Sequence, residues 1–326
     1  MKQFIRIVLL LITITSLTGI AQAVETPQPE VAAPMQEGSP PVAQLGVDFG
    51  VVGGYRYMQI VSNFALAYSA PGGGRIVRRF NGGYDFVTPR GQQGDWVEIN
   101  VGEWMHVRHL REVYPSYFSG VLVQGDTGIP WGWILVSHYA SASPGGPEVR
   151  DPAYRVQRYN LTHFYETTVV DGWRWYNVGN GRWVKQTLVS KVQNAPNPGV
   201  GGRWVAVDLY EQNLVAYEGN TMVFATLISS GLPGTDTNPG VFQVWARTAN
   251  APMNGQSGGY GNYRLENVPY AIYFDGDISL HGTYWHNRFG YRQSRGCVNL
   301  SISDARWLFD WLGEGGVYVY YSDTYR

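Results

Sequence analysis

Cysteine is almost missing from this chain: Cys297 is the only one in 326 residues. A single thiol closes no internal bridge, so a disulfide framework is excluded and stability must come from packing. Lysine and arginine form no runs, and 24 basic against 25 acidic residues leave a formal net charge of −1. Such a balance offers no field for nucleic acid or for an anionic lipid stripe. Charged residues make up only 15% of the chain and long charged helical stretches are absent. A histidine pair at i, i+4 and a cysteine pair are also missing, which removes the usual zinc patterns; His281 and His286 with Asp275 or Asp277 form the weak remaining candidate. No metal or other cofactor is expected.

What the chain does have is 12 Trp, 23 Tyr and 41 Gly. Strand-favouring aromatics with abundant turn residues imply a mainly β protein. Lys2 and Arg6 precede an apolar run from about Ile7 to Ile20 that ends in Ala21-Gln22-Ala23. Residues 1–23 therefore read as a secretory signal, placing the mature chain outside the cytoplasm, in the periplasm or the cell wall; an uncleaved membrane anchor is the competing reading. Residues 24–50 are proline-rich with few bulky apolar groups, the composition of a linker.

Two segments echo each other. Trp96 and Trp104 flank Val-Glu-Ile-Asn-Val-Gly-Glu, and Trp175 and Trp183 flank Tyr-Asn-Val-Gly-Asn-Gly-Arg. Each reads as a hairpin, giving a first small β module at 51–140 and a second at 151–194, separated by the turn-rich stretch Ser141 to Pro152. The stretch Ala65 to Leu110 resembles bacterial SH3-like modules, which implies spacing or wall-docking roles. Paired tryptophans in a hairpin are also ordinary small-barrel core.

From Arg203 onward the pattern sharpens. Val205, Val207 and Leu209 alternate with Trp204, Ala206 and Asp208, predicting a half-buried strand and then a β-meander. Near the C-terminus, Ala305, Leu308, Phe309 and Leu312 fall on one helical face, with Ser301 or Ser303 as cap and Gly313 as stop.

Cys297 sits in Ser-Arg-Gly-Cys-Val-Asn, sixteen residues after His281. A thiol is a weak nucleophile until a base or a positive field acts on it, and His281 can be that base if two strand ends bring the pair together. Gly282 and Gly296 lack a Cβ, which would let backbone approach a substrate carbonyl and let the amides of Gly296 and Cys297 meet a developing oxyanion. No serine here has lysine three residues on, and no Gly-x-Ser-x-Gly elbow is read after a strand, so serine nucleophiles of those two kinds find no support. Tyr273, Tyr284 and Trp285 read equally as groove or core. The Gly- and Asn-rich stretch Asn250 to Asn262 reads as a lid or as a long surface loop.

These residues carry a resemblance. WVAVDLYEQNLVAYEGN, SSGLPGTDTNPGVFQVWAR, HGTYW and SRGCVNLS follow one another in the order seen in the L,D-transpeptidase catalytic domain, so residues 203–322 resemble that family. The resemblance implies a β-sandwich-like fold and a cysteine that attacks the carbonyl after the third residue of a peptidoglycan stem. It further implies release of terminal D-alanine, a thioester, transfer to an amine of a neighbouring stem, and acylation by carbapenem-type inhibitors. Cys297 then matches the nucleophile and His281 the base, with the Gly282 carbonyl orienting the ring. Where the family most often carries histidine, this chain carries Arg295, which cannot accept a proton and is left as a fixed cation, favouring thiolate or holding a stem carboxylate. Arg295, Ser294, Asn299, Tyr273 and Trp285 are the expected substrate-side residues, although holding the loop suits Ser294 and Asn299 better. Water in place of the amine would make the same acyl-enzyme a carboxypeptidase or endopeptidase, and loss of catalysis would leave a wall-binding protein.

Overall fold

A computed structural model of the chain describes residues 41–125, 128–257 and 259–323. The expected signal at 1–23 and most of the expected linker lie outside the described residues.

The protein is mainly β, and its centre is two packed sheets. The first has the order Val42–Gln44, Val121–Val123, Thr221–Leu227, Asn213–Glu218, Arg203–Asp208, Gly316–Tyr320, Gly240–Gln243. The meander expected after Arg203 is there, antiparallel from 203 to 227, and the last strand joins it in parallel. The second runs Val298–Leu300, Ile278–Gly282, Gly261–Asp275, Tyr84–Val87, Tyr57–Ile60, Leu110–Val113, with Ala246–Ser257 folded back on Gly261–Asp275 as a long hairpin. Val205, Val207, Leu214 and Phe224 of one sheet meet Ile272, Leu280, Val298 and Leu300 of the other, and Ala305, Leu308 and Leu312 of the helix Ile302–Leu312 close the same core. Ser301 caps that helix by accepting the Asp304 N–H at 3.2 Å, and Gly313 ends it at φ 62°. Asp304, fully buried in the first turn, accepts from Gly120 N at 2.8 Å and Thr226 Oγ1 at 2.6 Å.

Three expectations need correction. The strand at 203–208 is buried on both faces: Trp204 and Ala206 pack with Trp131, Trp133, Phe118 and Tyr159 in a second core. The alternation in the sequence therefore separates two cores instead of core from solvent. Residues 42–44, assigned to the linker, form an edge strand against Val121–Val123, because Val42 finds a buried seat in that second core. The boundary between small modules also moves. Trp131–Ile134 pairs with Leu161–His163 and Val189–Val192, and Ser141 exchanges backbone bonds with Trp183, so this part of the first expected module belongs to the second.

Both tryptophan hairpins form. Trp96–Asn100 pairs with Glu103–His106 inside a five-stranded antiparallel sheet, and Trp173–Asn177 pairs with Trp183–Lys185. Their tryptophans are half-buried. The first module is also stitched to the large sheet, since Tyr84–Val87 runs parallel to 263–265.

Candidate active site

Parallel pairing of Ile278–Gly282 with Val298–Leu300 sets His281 opposite Asn299. Side chains two apart on a strand share a face, so Ser279, His281, Cys297 and Asn299 project to one side, with His281 diagonal to Cys297. Both line one cleft of about 210 Å³. The strand ends converge as the sequence called for, although without the expected hydrogen bond between imidazole and sulfur.

The imidazole is buried, and its Nδ1–H donates to the Gly282 carbonyl at 3.1 Å. That bond fixes the tautomer and leaves the Nε2 lone pair to receive a proton. Burial pushes the ring down to about 4, partly offset by the Gly282 bond. Burial pushes the thiol up; Ser279, through backbone and side chain, lowers it, and the Asp277 carboxylate raises it. The resting pair is consequently a neutral imidazole and a thiol. Sγ lies 3.8 Å from Ser279 Oγ and 3.9 Å from the Asp277 carbonyl, and no hydrogen bond joins it to His281 in this state.

The loop that presents the sulfur is tightly pinned. Gly296 sits at φ 117°, a region closed to most side chains, and its carbonyl accepts from Thr237 Oγ1 at 2.7 Å. Thr237, 1% exposed, in turn accepts from Gly231 N at 3.0 Å. Ser294 Oγ takes the Gly296 N–H at 3.2 Å and donates to the Cys297 carbonyl. Of the two amides expected at the oxyanion, that of Gly296 is thus already engaged within the loop. Gly282 also differs from expectation: a Cβ there would meet Pro269 Cγ at 2.9 Å, so its smallness serves strand–strand packing and not substrate approach.

Among the other expected residues, Trp285, Ser294, Arg295 and Asn299 all line the cleft, whereas Tyr273 does not. Tyr273 packs on Trp245 at 5.7 Å, two strands from the sulfur. Tyr284 is core, stacked on Tyr57 at 3.8 Å; Trp285 packs 5.7 Å from the His281 ring. The Asn299 carboxamide lies 2.9 Å from His286 Nε2, and His286 Nδ1 accepts the Arg288 N–H. The neutral ring therefore carries its proton on Nε2, and the Asn299 oxygen, otherwise without a partner, is the group suited to accept it. Asn299 accordingly braces the His286 turn. Among the described residues no cluster of three or more His, Cys, Asp or Glu is placed to hold a metal.

Arg295 is held by aromatic rings and backbone at the cleft wall. Its guanidinium lies over Tyr263 at 4.8 Å and Tyr84 at 5.4 Å and donates to the Tyr260 carbonyl at 2.9 Å. Residues 250–257 and 261–262 are strand, the tip half of the long hairpin, instead of a long surface loop. Residues 255–259 do spell Gly-x-Ser-x-Gly, yet the strand ending at Ser257 is followed by another strand from Gly261, so no strand-to-helix elbow exists there. Sequence reading also missed Ser279, legible in hindsight from its place two residues before His281, and Tyr84, Met253, Tyr263 and Leu265, which line the cleft from afar.

Residues 202–319 match the family model described as the L,D-transpeptidase catalytic domain. That segment is an L,D-transpeptidase domain. Among solved structures, an L,D-transpeptidase from Stackebrandtia nassauensis is 30% identical over 39% of this chain and 58% of its own, with a TM-score of 0.30. A cysteine-to-serine mutant of the Enterococcus faecium L,D-transpeptidase is 27% identical over 40% of this chain and 55% of its own, at 0.35. The E. faecium catalytic domain acylated by ertapenem is 28% identical over 37% of this chain and 98% of its own, at 0.33. The chain thus spans a little over half the length of the first two. No curated protein matches.

Proposed function

We propose that the protein is an extracytoplasmic L,D-transpeptidase that uses Cys297 to cleave after the third residue of a peptidoglycan tetrapeptide and passes the acyl group to an amine. The observation carrying this reading is the placement of Cys297 and His281 on one face of paired strands, in one cleft, with His281 held in its proton-accepting tautomer. Substrate binding brings the scissile carbonyl to Sγ. The thiol proton moves to His281 Nε2 as the C–S bond forms, and the carbonyl oxygen takes up the negative charge, facing the Cys297 amide. Collapse expels D-alanine, whose nitrogen takes the proton from the imidazolium, and leaves a thioester. An acceptor amine then attacks, gives its proton to His281 and forms the new amide, returning the thiol. The gap between Sγ and the ring closes only in this complex, which accords with the long contacts of the free site.

The purified chain incubated with a disaccharide-tetrapeptide should lose D-alanine and yield dimers, read by mass spectrometry. Loss of D-alanine with monomeric tripeptide alone would mean water is the acceptor, and no turnover would leave a wall-binding role. Ertapenem should add one drug mass to the wild type and none to Cys297→Ala.

A further inference from the structure

Arg295 lies two residues before the nucleophile, at a position where the resemblance leads one to expect histidine, and its surroundings give it a task that histidine cannot perform. Tyr84 and Tyr263 are registered partners on parallel strands, so their rings stand side by side on the cleft face. The planar guanidinium spans both rings and still reaches the hairpin tip at the Tyr260 carbonyl. The Tyr260 hydroxyl in turn donates to the Pro233 carbonyl at 3.0 Å, and the neighbouring Leu232 N–H donates to the Ser294 carbonyl at 2.8 Å. The chain of contacts from Ser294 through Leu232, Pro233, Tyr260 and Arg295 closes on itself around the mouth of the cleft. A histidine has no donor beyond its ring and would cover at most one of the two tyrosines.

We propose that Arg295 is a positioning residue for the donor stem: clamped on Tyr84 and Tyr263, it fixes the hairpin tip as one wall of the cleft. Tyr84 belongs to the N-terminal module, so that module supplies part of the binding site instead of serving only as a spacer. The contribution concerns where the stem lies and not how the sulfur is deprotonated. This rests on reading the cleft as the donor site.

The test uses the full chain with Arg295→Ala, Tyr84→Ala, the double variant and Tyr84→Phe. Each alanine variant should raise KM for the tetrapeptide roughly tenfold, the range of a partly desolvated cation–π contact, with kcat within about twofold. The double variant should be no worse than either single one, and Tyr84→Phe, which keeps the ring face, should recover most of the affinity. Amide exchange across Gly261 to Leu265 should quicken in both alanine variants. Should Arg295→Ala fail to fold, Arg295→Lys takes its place: it keeps the charge, loses the planar fork and should show the same KM effect. A fall in kcat at unchanged KM, additive effects in the double variant, or unaltered exchange would each overturn the clamp. Absence of turnover in the wild type would instead strike the function reading, and the exchange measurement would still decide the clamp.

Discussion

At the scale of single residues, the proposed chemistry depends on an imidazole kept neutral by burial and a thiol kept protonated by it. With His281 at about 4, acylation should be independent of pH near neutrality and fall about tenfold per unit below pH 4, where the base is protonated; the rate of ertapenem adduct formation across pH checks this. His281→Ala should cost about 10²- to 10⁴-fold in that rate. Ser279→Ala should slow it by a smaller factor, because one of the interactions that lowers the thiol is lost while its backbone counterpart stays. The same histidines couple to stability. His281 and His286 titrate near 4 and 3 in the folded chain, below the ordinary histidine value, so the stability they contribute is full above about pH 6.5 and is lost as pH falls through those two values. Cys297, His281 and Asn299 could be picked out as candidates because their motif is local. Arg295 was legible as a departure but not in its role, since its partners Tyr84 and Tyr263 are brought to it by strand pairing.

At the scale of elements, two short segments hold the site: the pinned cysteine loop and the helix behind it. Thr237→Val should leave the Gly231 N–H and the Gly296 carbonyl without their shared partner, costing about 2 kcal/mol in chemical denaturation and slowing acylation through a displaced loop. Ser301→Ala removes the helix cap and should cost about 1 kcal/mol. The helix was readable almost residue by residue, since a 3.6-residue period, a serine and a glycine are all local signals. The long hairpin was not. Glycine and asparagine from 250 to 262 suggest a loop, and only pairing along the partner strand, with a register shift between Ala251 and Met253, makes this stretch a strand.

At the scale of the whole molecule, the catalytic domain is not a separable bead on a string. Strands from residues 42–44 and 121–123 extend one of its sheets, strands from 57–60, 84–87 and 110–113 extend the other, and Trp131 and Trp133 pack on its outer face. Unfolding should therefore be one cooperative transition for module and domain together, by both tryptophan fluorescence and calorimetry. A chain beginning at residue 195 would bare the face of Trp204, Ala206 and Tyr217 and should not fold stably; a soluble truncated domain with native circular dichroism would refute this. Trp131→Ala should destabilise the full chain by about 3–5 kcal/mol, the cost of emptying a large core site. Glu211, buried where the second module meets the domain, accepts the Lys191 N–H, and burial pushes its carboxyl up to about 8. Its contribution to stability is full below about pH 4.5 and is lost as pH rises through 8, so Glu211→Gln should flatten the alkaline decline in melting temperature.

The amino-acid order alone determined the candidate nucleophile, its candidate base, the motif between them, the meander after Arg203 and the C-terminal helix, because each is written in neighbouring positions or in a fixed period. Packing across distant segments decided the rest: which face of the Arg203–Asp208 strand meets which core, where the modules divide, and what the Arg295 guanidinium lies upon. Those outcomes depend on surfaces that exist only once the sheets have assembled, so no local pattern could encode them.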